Sequence, residues 1–282
     1  MTAGLVAIDL GIKGFNYSVS SACATGNHSL ALAADMIRLG RADVALAGGT
    51  EAPITRMGLA GFSALRALST CNEDYVHASR PFDAKRNGFV IGEGAGVLVL
   101  ETLEHAQNRG AHIYAEVAGS GCSADAYHIV APDPEGNGAR QAMHLALEDG
   151  GISINEVDYI NAHGTSTPAG DAAETKAIKN LFGKHAYEMA ISSSKSMLGH
   201  ALGAAGAIES VITALSVAYD IAPPTINYEY PDPACDLDYV PNVARKCPIE
   251  IALNNSFGFG GQNSVLAFRK YRGPGAVTAE QA

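Results

Sequence analysis

Tryptophan is absent from this 282-residue chain, and charged residues are scarce at 17%. Apolar residues make up 47%, so the scarcity of charge excludes a disordered polar segment and leaves enough apolar surface for a sizeable core. No apolar run reaches membrane-spanning length, and no basic segment leading into an apolar one opens the sequence. No membrane partner is therefore expected. Paired cysteines are missing as well. Cys23, Cys71, Cys122, Cys235 and Cys247 stand at irregular spacings that form neither a disulfide framework nor a metal-binding pair. No metal is expected, and the spacing fits a reducing, cytoplasmic compartment. Basic residues are in deficit, 19 against 29 acidic, for a formal charge of −10. That balance argues against nucleic acid; an acidic partner would need a local basic patch.

What the chain does carry is Cys23, within Ser20-Ser21-Ala22-Cys23-Ala24-Thr25-Gly26. The β-branched and aromatic residues 15–19 read as a strand, and the small-residue apolar periodicity over 24–39 as a helix stopped at Gly40. The thiol then sits on a strand-to-helix turn, where unpaired amides and the helix dipole favour a thiolate. The plainer alternative is a buried packing cysteine.

The pattern around Cys23 occurs twice. Ser20 to Cys23 is followed by a helix, a strand at 43–49 and a strand at 96–100. Ser192-Ser193-Ser194-Lys195 is followed by an Ala- and Gly-rich helix to about residue 218, then strands at 251–255 and 264–268. Two duplicated α/β halves are expected, over 1–110 and 111–270, with a flexible tail at 271–282. Ahead of the second Ser run lie a strand near 113–117, a helix at 139–149, a strand at 158–161 and a helix at 172–182. Only residues 1–19 precede the first. The expectation is a first half truncated at its front and a complete second half.

Three further segments carry chemistry-bearing residues. His163 follows a short strand and opens His163-Gly164-Thr165-Ser166-Thr167, at the kind of strand end where α/β sheets present functional groups. His200 lies between Lys195 and Glu209, among residues small enough for a ligand to approach the backbone. Read alone, that segment is a tightly packed helix with a solvated lysine. Residues 254–263 are either a tight turn or a glycine-rich backbone able to offer an N–H to an oxyanion.

Taken in order, these motifs resemble the β-ketoacyl-acyl-carrier-protein synthases, most closely the type II enzymes of fatty acid synthesis. The matching segments are Ser21-Ala22-Cys23, Arg80-Pro81-Phe82-Asp83 with Gly92-Glu93-Gly94-Ala95-Gly96, His163 to Thr167, Lys195 to His200, and Asn255 to Gly261. The resemblance implies a thiolase-like fold of duplicated α/β halves, here without a front stretch on the order of a hundred residues. It implies that Cys23 takes an acyl chain from an acyl carrier protein, whose 4'-phosphopantetheine arrives on the substrate, so that no resident cofactor is needed. Malonyl-carrier is then decarboxylated, and its enolate attacks the Cys23 thioester. His163 and His200 would stabilise that enolate, as positive or hydrogen-bonding imidazoles.

The same resemblance assigns the oxyanion donors to the backbone N–H groups of Cys23 and Phe259. Lys195 and Glu209 would support the histidines, a structural ion pair being their plainer reading. Thr165 and Thr167 would hydrogen-bond the pantetheine arm, Phe62 and Phe259 would gate the acyl pocket, and Arg66 would contact the carrier. A homodimer is implied as the working unit. The competing readings are an inactive fragment or non-catalytic partner of a condensing enzyme, and a polyketide ketosynthase. A thiolase is disfavoured, since none of the other cysteines sits in a comparable strand-end motif.

Overall fold

A computed structural model describes residues 1–277. The helices are α1 (Thr2–Leu10), α2 (Thr25–Arg38), α3 (Arg56–Ala64), α4 (Leu103–Asn108), α5 (Asn137–Asp149), α6 (Pro168–Phe182), α7 (Lys195–Leu198) and α8 (Ala205–Tyr219). The strands are β1 (Val44–Glu51), β2 (Gly94–Glu101), β3 (Glu116–Ala124), β4 (Tyr159–Asn161), β5 (Ala190–Ser192), β6 (Ile221–Ala222), β7 (Arg245–Lys246), β8 (Ile251–Gly258) and β9 (Gln262–Arg269).

Residues β1 and β2 form an antiparallel pair, while a second sheet runs in the order β3-β9-β8-β4-β5. In the second sheet β3, β9 and β8 are antiparallel, whereas β8, β4 and β5 are parallel. Strands β4 and β5 are short and wholly buried, as expected of strands covered on both faces. Helices α2 and α8 lie between the two sheets, and α5 and α6 cover the far face of the larger one. One apolar cluster joins Leu30 and Ala31 of α2 to Tyr159, Leu266 and Phe268; a second places Met143, Ile178 and Phe182 over Ile160, Leu253 and Val265. The packing of α2 on α8 is close because Gly26 has no side chain. A Cβ there would stand 2.3 Å from the Ala207 amide nitrogen.

The duplication is visible in this arrangement. Cys23 precedes α2 and the β1–β2 pair as Lys195 precedes α8 and the β8–β9 pair. Several sequence expectations need correction. Residues 15–19 form no strand; they are largely exposed and pair with no strand among the described residues. The strand expected at 113–117 begins at Glu116 and runs to Ala124, because its hydrogen-bonding partner β9 extends that far. The tail expected to be flexible is packed against the body of the protein over 271–277. Tyr271 and Val277 are buried, and Ile113 exchanges backbone hydrogen bonds with Gly275 and Val277; residues 278–282 lie outside the described residues. Residues 202–219 are, by length and composition, apolar enough to cross a bilayer, contrary to the expectation; 72% of that stretch is buried within the protein as a core helix. On the outer face of the β1–β2 pair, Val44, Leu46, Val97 and Val99 are exposed.

Candidate active site

Cys23 lies two residues before α2, buried at 6% exposure, on a turn tied to the second half of the chain. Ser256 Oγ of β8 donates to the Cys23 carbonyl at 2.8 Å. The end of β8 presses directly on this turn, which only a glycine permits: a Cβ on Gly258 would lie 2.7 Å from the Ser21 carbonyl oxygen. That approach brings the backbone N–H of Phe259 to the thiol beside that of Cys23 itself. These are the two amides expected to form an oxyanion hole.

The chain places His200 Nε2 3.1 Å from Cys23 Sγ. The His163 ring stands edge-on to that of His200, 5.3 Å between centroids, and Phe89 packs edge-on against the other side of His200 at the same separation. Both imidazoles are almost wholly buried. Desolvation, with the nearby Lys195 charge, holds both well below the ordinary histidine range, and for His163 the neighbouring His200 adds to the effect. Burial thus favours the neutral, hydrogen-bonding form of both rings over the charged one.

Behind them Lys195 and Glu209 form a buried ion pair. Burial pushes the Glu209 carboxyl up to about 7 against the pull of Lys195. The pair does not line the cavity.

The thiol itself departs from the sequence expectation. Burial drives Cys23 up to about 11, outweighing the Lys195 charge and the two backbone N–H groups that pull the other way. The helix dipole falls off within a turn and is too weak to offset removal of a thiolate from water. At neutral pH the thiol form is favoured, and the ring nitrogen within reach of its proton is His200 Nε2. A consequence is measurable. Above neutrality the thiolate fraction rises with pH, so alkylation of Cys23 by iodoacetamide should climb about tenfold per pH unit until pH nears the thiol value. A flat rate from roughly pH 7 to 10 would contradict a raised thiol.

Cys23, His163 and His200 share a cavity of about 360 Å³ with Thr165, Thr167, Phe259 and Arg66. Thr165 Oγ1 and Thr167 Oγ1 lie 3.0 Å apart, and Thr167 also caps α6 by accepting the Gly170 N–H. Arg66 is exposed on the cavity rim. Phe62 stands one layer back, packed edge-on against Phe89 at 5.5 Å, in the apolar cluster that includes Cys23 and Leu202.

Sequence reasoning missed two acids. Glu174 of α6 is buried and accepts the N–H groups of His163 at 2.8 Å and Gly164 at 2.7 Å, and Asn255 Nδ2 at 3.0 Å. Asp171, one turn earlier, accepts the Phe82 and Ser166 N–H groups and lies 3.4 Å from Arg86 Nε. Burial pushes its carboxyl up to about 7, Arg86 pulling against it. Arg86 also donates to the carbonyls of Asp83, Thr167 and Pro168, so the Arg80–Arg86 segment clamps the threonine loop. The available signal was an Asp and a Glu three residues apart on a helix otherwise rich in Ala.

Comparison with known proteins accords with this geometry. Residues 1–106 match the β-ketoacyl synthase N-terminal domain, and 114–229 the C-terminal domain. The chain is 54% identical over 272 residues to the 3-oxoacyl-[acyl-carrier-protein] synthase 2 of Synechocystis sp., and 56% identical over 271 residues to that of Staphylococcus aureus. Each alignment covers 96% of this chain, which spans 65% of the length of those relatives. A β-ketoacyl synthase from Burkholderia phymatum superposes with a TM-score of 0.91 at 44% identity, over 96% of this chain and 65% of that one. A ketosynthase bound to its type II PKS acyl-carrier protein and the hexaketide superposes at 0.94 with 45% identity, over 96% and 66%. With both domains matched in order and more than half its residues shared with curated members, this chain belongs to the β-ketoacyl synthase family.

Proposed function

We propose that this chain carries the catalytic centre of a decarboxylative Claisen condensation in fatty acid elongation, joining an acyl group on Cys23 to malonyl-acyl-carrier protein. The observation that carries it is Cys23 Sγ 3.1 Å from His200 Nε2, with His163 beside them in one cavity. In the first step Cys23 sulfur attacks the carrier thioester, its proton passing to His200. The amides of Cys23 and Phe259 hold the tetrahedral oxyanion, and the carrier thiol leaves with a proton. In the second step malonyl-carrier loses carbon dioxide. The resulting enolate oxygen sits between the two imidazoles, and the enolate carbon attacks the Cys23 acyl carbonyl. The carbon–sulfur bond then breaks, and the sulfur regains a proton.

Neutral imidazoles suit the decarboxylation, since an N–H donor stabilises the enolate without holding a resident anion in its place. Thr165 and Thr167 would hold the pantetheine arm, Arg66 at the rim would meet an acidic carrier, and Phe259 would border the acyl chain, with Phe62 packed behind Phe89. The reading includes an acyl carrier protein as partner, no resident cofactor, a homodimer, and a cytoplasmic setting. A polyketide ketosynthase is the second reading, favoured by the likeness to the carrier-bound polyketide ketosynthase; the higher identity to the 3-oxoacyl synthases supports the fatty acid assignment.

Incubation with an acyl-carrier thioester followed by peptide mapping tests the nucleophile. The acyl group is expected on the Cys23 peptide alone. Cys71 and Cys247 are half-buried, Cys122 is exposed and Cys235 is buried, and none lies on the cavity. Acylation elsewhere with Cys23 unmodified would overturn the assignment.

A further inference from the structure

Ala22, immediately before the nucleophile, has φ of +49°. A residue bearing a Cβ is disfavoured there, because the Cβ crowds the following carbonyl. Something must hold the turn in that shape. The Thr25 hydroxyl stands over it and bonds in both directions: Oγ1 accepts the Ser21 N–H at 2.9 Å and donates to the Ala22 carbonyl at 2.8 Å. The Thr25 backbone N–H reaches the same Ala22 carbonyl at 3.2 Å, and the Ala24 N–H reaches the Ser21 carbonyl at 3.1 Å. Thr25 is the first residue of α2, and it does not line the cavity.

We infer that Thr25 is a positioning residue for the condensation, its hydroxyl clamping the strained Ala22 so that Cys23 Sγ faces His200 and the Cys23 N–H faces the developing oxyanion. The inference rests on Cys23 being the nucleophile. Both ends of the clamp matter. The accepted bond fixes the residue before Ala22, and the donated bond fixes Ala22 itself. A further anchor, Ser256 Oγ on the Cys23 carbonyl, comes from the opposite half and holds the turn on its far side. Without the hydroxyl, Ala22 relaxes toward negative φ and the sulfur swings off the His200 line. A misplacement of about 1 Å at a reacting centre costs up to about a hundredfold in rate.

The test compares Thr25→Val, which keeps shape but loses both bonds, with Thr25→Ser, which keeps both, in the full chain. Acyl transfer and iodoacetamide alkylation are measured over a pH series beside a thermal melt. Thr25→Val is expected to lower kcat for acyl transfer about ten- to a hundredfold with KM nearly unchanged, because the side chain touches no substrate. It should also shift the pH profile of Cys23 alkylation, which loss of stability alone does not move. Thr25→Ser should stay within about threefold of the parent. If Thr25→Val melts without cooperativity, Thr25→Ala, which removes the same two bonds, is read in its place. A folded Thr25→Val or Thr25→Ala with parental kcat overturns the clamp, as does a Thr25→Ser variant as slow as Thr25→Val. Failure of the nucleophile assignment is seen separately, as acyl label on another cysteine of the unsubstituted chain.

Discussion

Replacing Cys23 with Ala is expected to lower condensation at least about a thousandfold while leaving part of malonyl-carrier decarboxylation intact. The separation follows from the geometry. The sulfur is needed only where the acyl group is held, whereas the enolate oxygen meets the two imidazoles, of which only His200 touches the sulfur. His163 is set by its own backbone N–H on Glu174, and His200 is bounded by Phe89. His163→Ala and His200→Ala should each depress decarboxylation about a hundredfold, the usual cost of removing one donor from a developing oxyanion. Conversion of malonyl- to acetyl-carrier, followed by mass spectrometry, separates this from chain extension. A His163→Ala or His200→Ala variant that decarboxylates at the parental rate would remove that histidine from the proposed step. Because both rings are held neutral by burial, lowering the pH to about 6 should not raise the decarboxylation rate by charging them.

Glu174→Ala is expected to be the most destabilising single change in the site. It would strip the acceptor from the His163 and Gly164 N–H groups and from Asn255 Nδ2 at once. A buried donor left unpaired costs about 1–3 kcal/mol, so three together amount to at least about 3 kcal/mol. That is a large part of a margin of roughly 5–15 kcal/mol. Activity should fall with it, since the His163 loop loses its anchor even in molecules that remain folded. Glu174→Gln keeps one acceptor oxygen and points an NH₂ at the other donors, so it should fall between the parent and Glu174→Ala in both measurements. Urea unfolding and decarboxylation assays on the two variants check this. A Glu174→Ala melt equal to the parent would show that the three donors find other partners.

Much of the fold was legible because its helices and strands carry strong local signals. The periodicity of α2 and α8, the β-branched strands β2 and β9, and the helix-terminating glycines are features of neighbouring residues. The repeat of a Ser run, a helix and two strands could be read without contacts, and the structure returns it as α2 with β1–β2 and α8 with β8–β9. Cys23, the histidines and the glycine-rich turn were legible as motifs, since each stands in an unusual run of small residues.

What the sequence could not supply was anything set by neighbours distant along the chain. Residues 15–19 have strand-forming side chains but no paired strand, and a strand exists only through its partner. The state of the thiol was hidden for the same reason. A turn at a helix start favours a thiolate, yet Cys23 is buried by Phe89 and Leu202, and desolvation wins. Glu174 looked like one acid among many on a helix, and became an anchor only when β4 and β8 brought His163, Gly164 and Asn255 to it. The sequence by itself determined which chemical groups this protein carries and the order of its elements, because those depend on residue identity and local periodicity. Only the tertiary structure decided which groups are neutral and which carboxylates anchor the loops, because desolvation and hydrogen bonding arise from residues far apart in the chain.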